Sequence, residues 1–236
     1  SIAGKQQLAD FAPGKDRVAF VRNNNLFIKD LVSGQEKQVT LDGKENEIIN
    51  GAPDWVYEEE FGFSKGFYWS PDGNKIAYYR FDERHVKEFN MTTYKGLYPD
   101  WYRFKYPKAG EKNAIVSIHV YDLESGKHIT LDTGSETDQY IPRIEWTKNS
   151  EVVSIIRLNR LQNHVEVLHS NVVNGSSEVV YEETNPSYIS EATDDMITYL
   201  DDGSSFILMS EKDGYFHFYL HNFMSGATIS CDYRRL

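Results

Sequence analysis

Asp122-Leu123-Glu124-Ser125-Gly126 decides the fold, because the same short pattern occurs four times along the chain. Each copy has a polar residue, two variable residues, Ser or Asn, and a closing glycine, and each follows an apolar run. A strand, such a turn and a second strand form a β-hairpin signal, and glycine tolerates the positive φ that the turn requires. The sequence therefore predicts four hairpins. The other copies are Asp30-Leu31-Val32-Ser33-Gly34, Asn171-Val172-Val173-Asn174-Gly175 and Asn222-Phe223-Met224-Ser225-Gly226.

A second pattern precedes each hairpin and consists of an aromatic residue, a tight polar turn and an apolar strand. Its clearest copy is Trp69-Ser70-Pro71-Asp72-Gly73-Asn74, before the apolar run at 76–79. Strand, turn, strand and hairpin is the element order of a propeller blade, a four-stranded sheet repeated around an axis. We therefore predict one all-β domain over residues 1–236, folded as a partial β-propeller of about four blades. Related copies of the second pattern occupy 11–16, 146–150 and 199–204.

The spacing of the repeat places extra chain in the second unit. Gly126, Gly175 and Gly226 stand about 50 residues apart, whereas Gly34 and Gly126 are separated by nearly twice that distance. Two stretches lack the blade pattern, at 44–66 and 82–108. Extra chain in a repeat protein commonly lies on one face and carries function. We therefore expect an inserted arm in the second blade and look for function in these two stretches.

Composition and charge exclude several classes of function. The net charge of −11 and the lack of a dense basic cluster argue against a nucleic-acid partner. The single cysteine, Cys231, permits no internal disulfide, which fits a bacterial protein better than a secreted animal ectodomain. The sequence has no metal-binding histidine spacing, no Gly-rich phosphate loop and no Gly-x-Ser-x-Gly motif. We predict no metal, no cofactor and no catalytic residue in this chain.

The first insertion contains three consecutive carboxylates among aromatic residues, in Asp54-Trp55-Val56-Tyr57-Glu58-Glu59-Glu60-Phe61. Neighbouring side chains on a helical turn diverge by about 100°, so a turn at a cavity rim can aim two of them at one point. Such carboxylates repel each other unless a cation lies between them, and an ammonium group offers a positive charge and three donors. The alternative is a solvated acidic turn held by aromatic side chains, which composition alone favours.

This stretch, followed by Trp69-Ser70-Pro71-Asp72-Gly73, resembles the dipeptidyl peptidase IV family of the prolyl oligopeptidase superfamily. The similarity runs from about Leu8 to about Gly226. Further similar strings are Tyr106-Pro107-Lys108-Ala109-Gly110, Arg157-Leu158-Asn159-Arg160-Leu161-Gln162-Asn163 and Ser210-Glu211-Lys212-Asp213-Gly214-Tyr215.

The resemblance implies a function for the acidic stretch. The family combines an eight-bladed propeller with an α/β-hydrolase domain, so this chain corresponds to half of the propeller without the Ser, Asp and His of the hydrolase. The implied parent is a serine exopeptidase that releases N-terminal dipeptides or tripeptides after proline-like residues. Glu59 and Glu60 correspond to the carboxylates that bind the substrate's α-amino group. Trp55, Tyr57 and Glu58 are expected to support them.

The second insertion, 81–105, is rich in aromatic and charged residues. Exposed aromatic residues on an extended arm favour a protein interface, and the resemblance implies that this arm helps the family to form homodimers. The alternative is a hairpin folded back on its own blade. The candidate interface residues are Phe89, Tyr94, Tyr98, Trp101 and Tyr102.

The sequence also departs from the family pattern. A Phe-Arg pair of mammalian members is not matched within 187–195, and a shorter spacing between Glu60 and Trp69 leaves Ser64 without a role. The tail at 230–236 does not follow the blade pattern. The expected partners are a peptide with a free amino terminus, the parent's own hydrolase domain and a second copy, in the periplasm or cell envelope of a bacterium. A non-enzymatic propeller scaffold and an inactive peptidase homologue stay open as alternatives.

Overall fold

The computed structural model describes residues 4–190 and 196–231 of the chain. These residues divide into two compact units. The first is drawn from 4–67 and 78–117, and the second from 68–77, 118–190 and 196–231. Almost all regular structure in the described part is antiparallel β-sheet, with one short helix.

The first sheet shows how the hairpin pattern works. Its four strands pair in chain order, and they are β1 (Gln7–Phe11), β2 (Arg17–Arg22), β3 (Asn25–Asp30) and β4 (Glu36–Gln38). At the turn between β3 and β4, the Asp30 carboxylate accepts the Ser33 N–H at 2.8 Å, and Gly34 adopts a φ of 73°. The polar side chain thus takes over a donor that the turn leaves unpaired, which explains why the pattern begins with Asp or Asn.

The second sheet holds both insertions. In chain order its region contains β5 (Ile48–Asn50), α1 (Trp55–Glu59), β6 (Phe67–Trp69), β7 (Lys75–Asp82), β8 (Glu88–Thr93), β9 (Asp100–Lys105), β10 (Ile115–Asp122) and β11 (His128–Thr130). Strands β11, β10, β7 and β5 are neighbours in that order, and β6 also pairs with β7. The strands β8 and β9 form a separate two-stranded sheet, which is the predicted arm.

The third and fourth sheets repeat the four-stranded order of the first. The third contains β12 (Gln139–Trp146), β13 (Val152–Asn159), β14 (His164–Asn171) and β15 (Ser177–Thr184). The fourth contains β16 (Ile197–Tyr199), β17 (Ser205–Ser210), β18 (His217–Asn222) and β19 (Ala227–Ser230). A shared core of buried side chains, including Val167, Tyr181, Phe206 and Leu208, joins these two sheets within the second unit.

The predicted fold class is confirmed: the chain is all-β, with four blade-like sheets and an inserted arm in the second. The boundaries of the first insertion were wrong at one point. The range 44–66 includes β5, which pairs with β7 through Ile48–Asp82 and Asn50–Arg80. Because β5 has only three residues, its alternation was too short to be recognised. Most of the anomalous tail, 232–236, lies outside the described residues.

Candidate functional site

The acidic stretch forms the helix α1, which begins at Trp55 because Asp54 caps it. The Asp54 carboxylate accepts the Tyr57 N–H at 3.0 Å, and the Asp54 carbonyl accepts the Glu58 N–H at 3.1 Å. At the other end, the Glu60 N–H donates to the Val56 carbonyl at 2.8 Å. The turn is therefore defined by backbone bonds from its cap to Glu60.

The helix is anchored to the core of the first unit by Tyr57. Tyr57 and Phe61 stand four positions apart, which brings both rings to the same face. Tyr57 is buried, and its ring lies 5.1 Å from Phe61, 5.9 Å from Phe63 and 4.9 Å from Phe81 between centroids. This aromatic cluster fixes the inner face of α1 and leaves its outer face to the three glutamates.

Glu58, Glu59 and Glu60 are all exposed. Successive residues on this turn project about 100° apart, and Glu59 lies opposite the Tyr57 face. Among the residues that the structure describes, the side-chain carboxylates of Glu59 and Glu60 have no hydrogen-bond or ion-pair partner. Two solvent-exposed carboxylates therefore stand on adjacent positions of a fixed turn, accessible to a cation.

Trp55 connects α1 to the base of the arm. It is half-buried, and its ring centroid lies 4.4 Å from that of Tyr106 in an edge-on contact. Tyr106 follows β9 directly, and its ring also contacts Phe89 and Phe104 of the arm at 5.6 and 6.2 Å. The glutamate turn and the root of the arm thus share one aromatic cluster.

The candidate interface residues lie along the arm. Phe89 belongs to β8 and is 37% exposed, while Trp101 and Tyr102 belong to β9 and are more than half exposed. Tyr94 and Tyr98 lie between the two strands and are each 80% exposed. The arm thus presents large aromatic surfaces to solvent.

Sequence analysis missed a group of buried charges beneath α1. Burial raises the pKa of Asp54 to about 6, against the opposing effect of the backbone N–H groups that it accepts. Burial also raises the pKa of Glu83 to about 7, and the negative charge of Asp54 adds to this rise, while Lys105 lowers it. In the sequence, Glu83 stands at the end of an apolar strand, and this position alone does not predict that its side chain is buried.

A cavity of ≈ 480 Å³ lies in the second unit, at the ends of β15 and β17. Its buried carboxylate, Glu183, accepts hydrogen bonds from Tyr181 at 2.6 Å and Ser210 at 2.8 Å, so it is already satisfied. Tyr188 and Ile189, from the stretch without a match to the mammalian Phe-Arg pair, line this cavity, and 191–195 lie outside the described residues. The remaining walls include Met196, Met209 and Phe216.

Two further features bear on the class of protein. Within residues 4–190 and 196–231, no group of three or more His, Cys, Asp or Glu side chains is placed to hold a metal ion. In the same part of the chain, no helix has the length and apolar character needed to cross a bilayer.

Comparison with known proteins identifies the family. Residues 1–231 match the family model described as the dipeptidyl peptidase IV (DPP IV) N-terminal region. The chain belongs to this family. A crystal structure of Porphyromonas gingivalis dipeptidyl peptidase 4 matches this DPP IV N-terminal region with a TM-score of 0.92 and 38% sequence identity, over 98% of this chain and 33% of that one. The predicted family resemblance is therefore confirmed.

Curated relatives carry related names. "Probable dipeptidyl peptidase 4" of Trichophyton verrucosum is 30% identical over 97% of this chain and 32% of its own length. "Probable dipeptidyl-aminopeptidase B" of Talaromyces marneffei is 34% identical over 75% of this chain and 21% of its own length. This DPP IV N-terminal region thus spans between a fifth and a third of these relatives. These two curated relatives are fungal and the solved structure is bacterial, so the bacterial origin of this chain stays a prediction.

Proposed function

We propose that this chain is the substrate-selecting region of a serine exopeptidase that releases N-terminal dipeptides or tripeptides after proline-like residues. Glu59 and Glu60 bind the protonated α-amino group of the substrate. The observation that supports this is the pair of exposed carboxylates on a turn fixed by the Asp54 cap and the buried Tyr57. The names of the relatives as dipeptidyl peptidases support a peptide as the ligand.

The chemistry of the turn suits an amino terminus. Two carboxylates at adjacent positions repel each other, and an ammonium group placed between them relieves that repulsion while donating to both. Charge-assisted hydrogen bonds of this kind contribute about 1.5–3 kcal/mol each. Because the anionic site is fixed, it also sets how many residues fit between the amino terminus and the nucleophile.

The catalytic Ser, Asp and His belong to a hydrolase domain of the parent enzyme in this proposal. The chain alone then binds the substrate without cleaving it. We place the parent outside the cytoplasm, in the periplasm or cell envelope, and infer that it acts as a homodimer through the arm at β8 and β9.

Substitution of the two glutamates tests the proposed function. In the full-length enzyme, Glu59→Gln with Glu60→Gln keeps the size of both side chains and removes their charge. Loss of two charge-assisted contacts predicts a fall in kcat/KM of at least about a hundredfold for X-Pro substrates with a free amino terminus. Steady-state kinetics with matched chromogenic peptides measures this loss.

Two controls make the test specific. Glu58→Gln removes a neighbouring exposed charge and is expected to change kcat/KM less than about threefold. An N-acetylated substrate lacks the ammonium group, so the double variant should lose no further activity on it. If the double variant cleaved free-amino substrates like the wild type, the amino-binding role would be excluded, and a scaffold function or another binding residue would have to be considered.

A further inference from the structure

Glu83 is a buried glutamate, whereas most glutamates are exposed to solvent. It follows the long strand β7 and is 6% exposed. Its N–H donates to the Glu47 carbonyl and its carbonyl accepts the Val86 N–H, both at 2.9 Å. The backbone is therefore fixed on both sides of a buried carboxyl group.

The charged groups that act on Glu83 come from three elements. Asp54, the cap of α1, and Asp82, the last residue of β7, are acidic, and Lys105, at the end of β9, is basic. Asp82 is paired with Arg84, since its carboxylate accepts a hydrogen bond from the Arg84 side chain at 2.9 Å. The remaining set is one buried cation and two buried carboxyl groups, Asp54 and Glu83.

Lys105 is held in place at the root of the arm. Its Nζ donates to the Val86 carbonyl at 2.8 Å and lies 3.8 Å from Glu88 Oε1, and its side chain is only 10% exposed. Val86 also donates its N–H to the Glu83 carbonyl, so both charged residues are attached to the same short loop. The Lys105 ammonium group is therefore fixed at the loop that also holds Glu83, and its charge acts on the Glu83 carboxyl group.

This arrangement costs free energy that apolar side chains of similar size would avoid, because two buried carboxyl groups and one lysine cannot all be neutralised by pairing. The cost is located at the start of α1, and Glu59 and Glu60 stand at the other end of the same short helix. Asp54 belongs to both features, since its carboxylate caps the helix and its charge acts on Glu83. The helix packs against this part of the chain, because the Tyr57 ring lies 4.9 Å from that of Phe81, two residues before Glu83.

We propose that Glu83 and Lys105 are positioning residues for the glutamate turn, which act through Asp54 to hold the start of α1, and with it Glu59 and Glu60, in the orientation that binds an amino group. This inference rests on the proposed function. When Glu83 carries a proton, Asp54 is free to be the charged cap of the helix. When Glu83 ionises, it repels the cap, and Lys105 offsets only part of that repulsion.

The sign of the pH effect follows from the raised pKa values. The pKa of Glu83 is about 7 and that of Asp54 is about 6. Between pH 6 and pH 7, therefore, Glu83 is mostly protonated and neutral, while Asp54 is mostly ionised. Above pH 7, both carboxyl groups carry charge and the cap is strained. Affinity for the amino terminus is therefore expected to fall above pH 7, before the substrate amine itself deprotonates near its usual pKa of about 8.

Glu83→Gln tests this directly, because it keeps the shape of the side chain and removes its ionisation. In the 236-residue chain, the backbone amide resonances of Glu58, Glu59 and Glu60 should titrate near pH 7 in the wild type and lose that step in the variant. Lys105→Met should move the step to higher pH, since the cation that favours ionised Glu83 is gone, and Lys105→Arg should restore it. Glu88→Gln, which removes the exposed partner of Lys105, is the matched control and should leave the step in place.

The full-length enzyme supplies the second measurement. For the wild type, KM should rise about tenfold between pH 7 and pH 8, with kcat nearly constant, and Glu83→Gln should shift this rise to the deprotonation of the substrate amine near pH 8. A variant that merely lost structure would have a lower kcat/KM at every pH, and the pH at which its KM rises would stay that of the wild type. Identical amide titrations and KM profiles in the wild type and Glu83→Gln would overturn the positioning role.

The two proposals can fail separately. If Glu59→Gln with Glu60→Gln abolishes amino-terminal recognition while Glu83→Gln changes neither titration nor profile, only the positioning inference is lost. If the double variant binds normally, the amino-binding function is wrong, and the amide titration still decides whether Glu83 controls the turn.

Discussion

Asp54 shows how much of the site depends on one residue. Its carboxylate accepts the buried Tyr57 N–H at 3.0 Å and so caps the start of α1. Asp54→Ala removes the side-chain acceptor that caps the helix, which should cost about 1–2 kcal/mol of local stability. Hydrogen exchange at Glu58 and Glu60 should accelerate by about tenfold or more.

Asp54→Asn is the matched control, because asparagine keeps an acceptor oxygen and loses only the charge. It should protect the same amides nearly as well as aspartate does. Equal exchange rates in the alanine and asparagine variants and the wild type would show that the cap does not hold the turn.

Single residues also mark the limit of sequence interpretation at this site. The run from Glu58 to Glu60 is visible because its members are neighbours in the chain. Asp54 and Lys105 approach Glu83 only through folding, from positions far apart in sequence. Local pattern does not indicate which of many acidic residues becomes buried, since burial is decided by the packing of distant elements.

At the scale of elements, the hairpins were predictable because the turn is a local chemical device. Asp30, Asp122, Asn171 and Asn222 each accept the N–H three residues on, and each turn ends in a glycine of positive φ. The helix α1 was harder to place, since its start depends on Asp54 and not on the glutamates. With five residues, it is too short for helical periodicity to appear in the sequence.

The arm gives a prediction at the same scale. Because β8 and β9 pair only with each other, their aromatic side chains have little core to cover, and a second copy of the chain would bury them. Replacing Tyr94, Tyr98 and Trp101 by serine should convert a dimer to a monomer at micromolar concentration. Analytical ultracentrifugation of the wild type and the triple variant measures this change.

Tyr215→Ser serves as the control for the arm, since Tyr215 is 76% exposed but lies in the hairpin between β17 and β18. It should leave the sedimentation coefficient unchanged. A concentration of 100 μM lies well above the Kd of an ordinary specific dimer. A wild-type chain that stays monomeric at this concentration would contradict the predicted interface.

At the scale of the whole molecule, the two compact units carry buried titratable groups of opposite kind. The first contains Asp54 and Glu83, whose pKa values burial raises. The second contains His169, whose pKa burial lowers to about 4, with the nearby His221 adding to the effect. The His169 ring lies 2.8 Å from the Tyr199 hydroxyl through Nε2 and packs edge-on against Phe223.

These shifts predict that acidification affects the two units in opposite directions. A carboxyl group with a raised folded-state pKa binds more protons when folded, so Glu83 destabilises the first unit progressively as pH rises from about 4.5 to 7. A histidine with a lowered pKa binds fewer protons when folded, so the second unit loses stability as pH falls from 6.5 to about 4. For His169, the full loss amounts to at most about 3 kcal/mol.

Hydrogen exchange followed by mass spectrometry, corrected for the intrinsic pH dependence of exchange, resolves the two units in one experiment. Between pH 6.5 and 4.5, protection should fall in β13 and β14 and rise in β7 and α1. His169→Gln keeps a hydrogen-bonding side chain beside Tyr199 without a titrating group and should reduce the response of the second unit alone. Glu83→Gln should reduce that of the first, where Asp54 still titrates. If both units lost protection in parallel and neither variant altered its own unit, the buried groups would not govern the pH dependence, and the packing argument behind the Glu83 inference would be weakened with it.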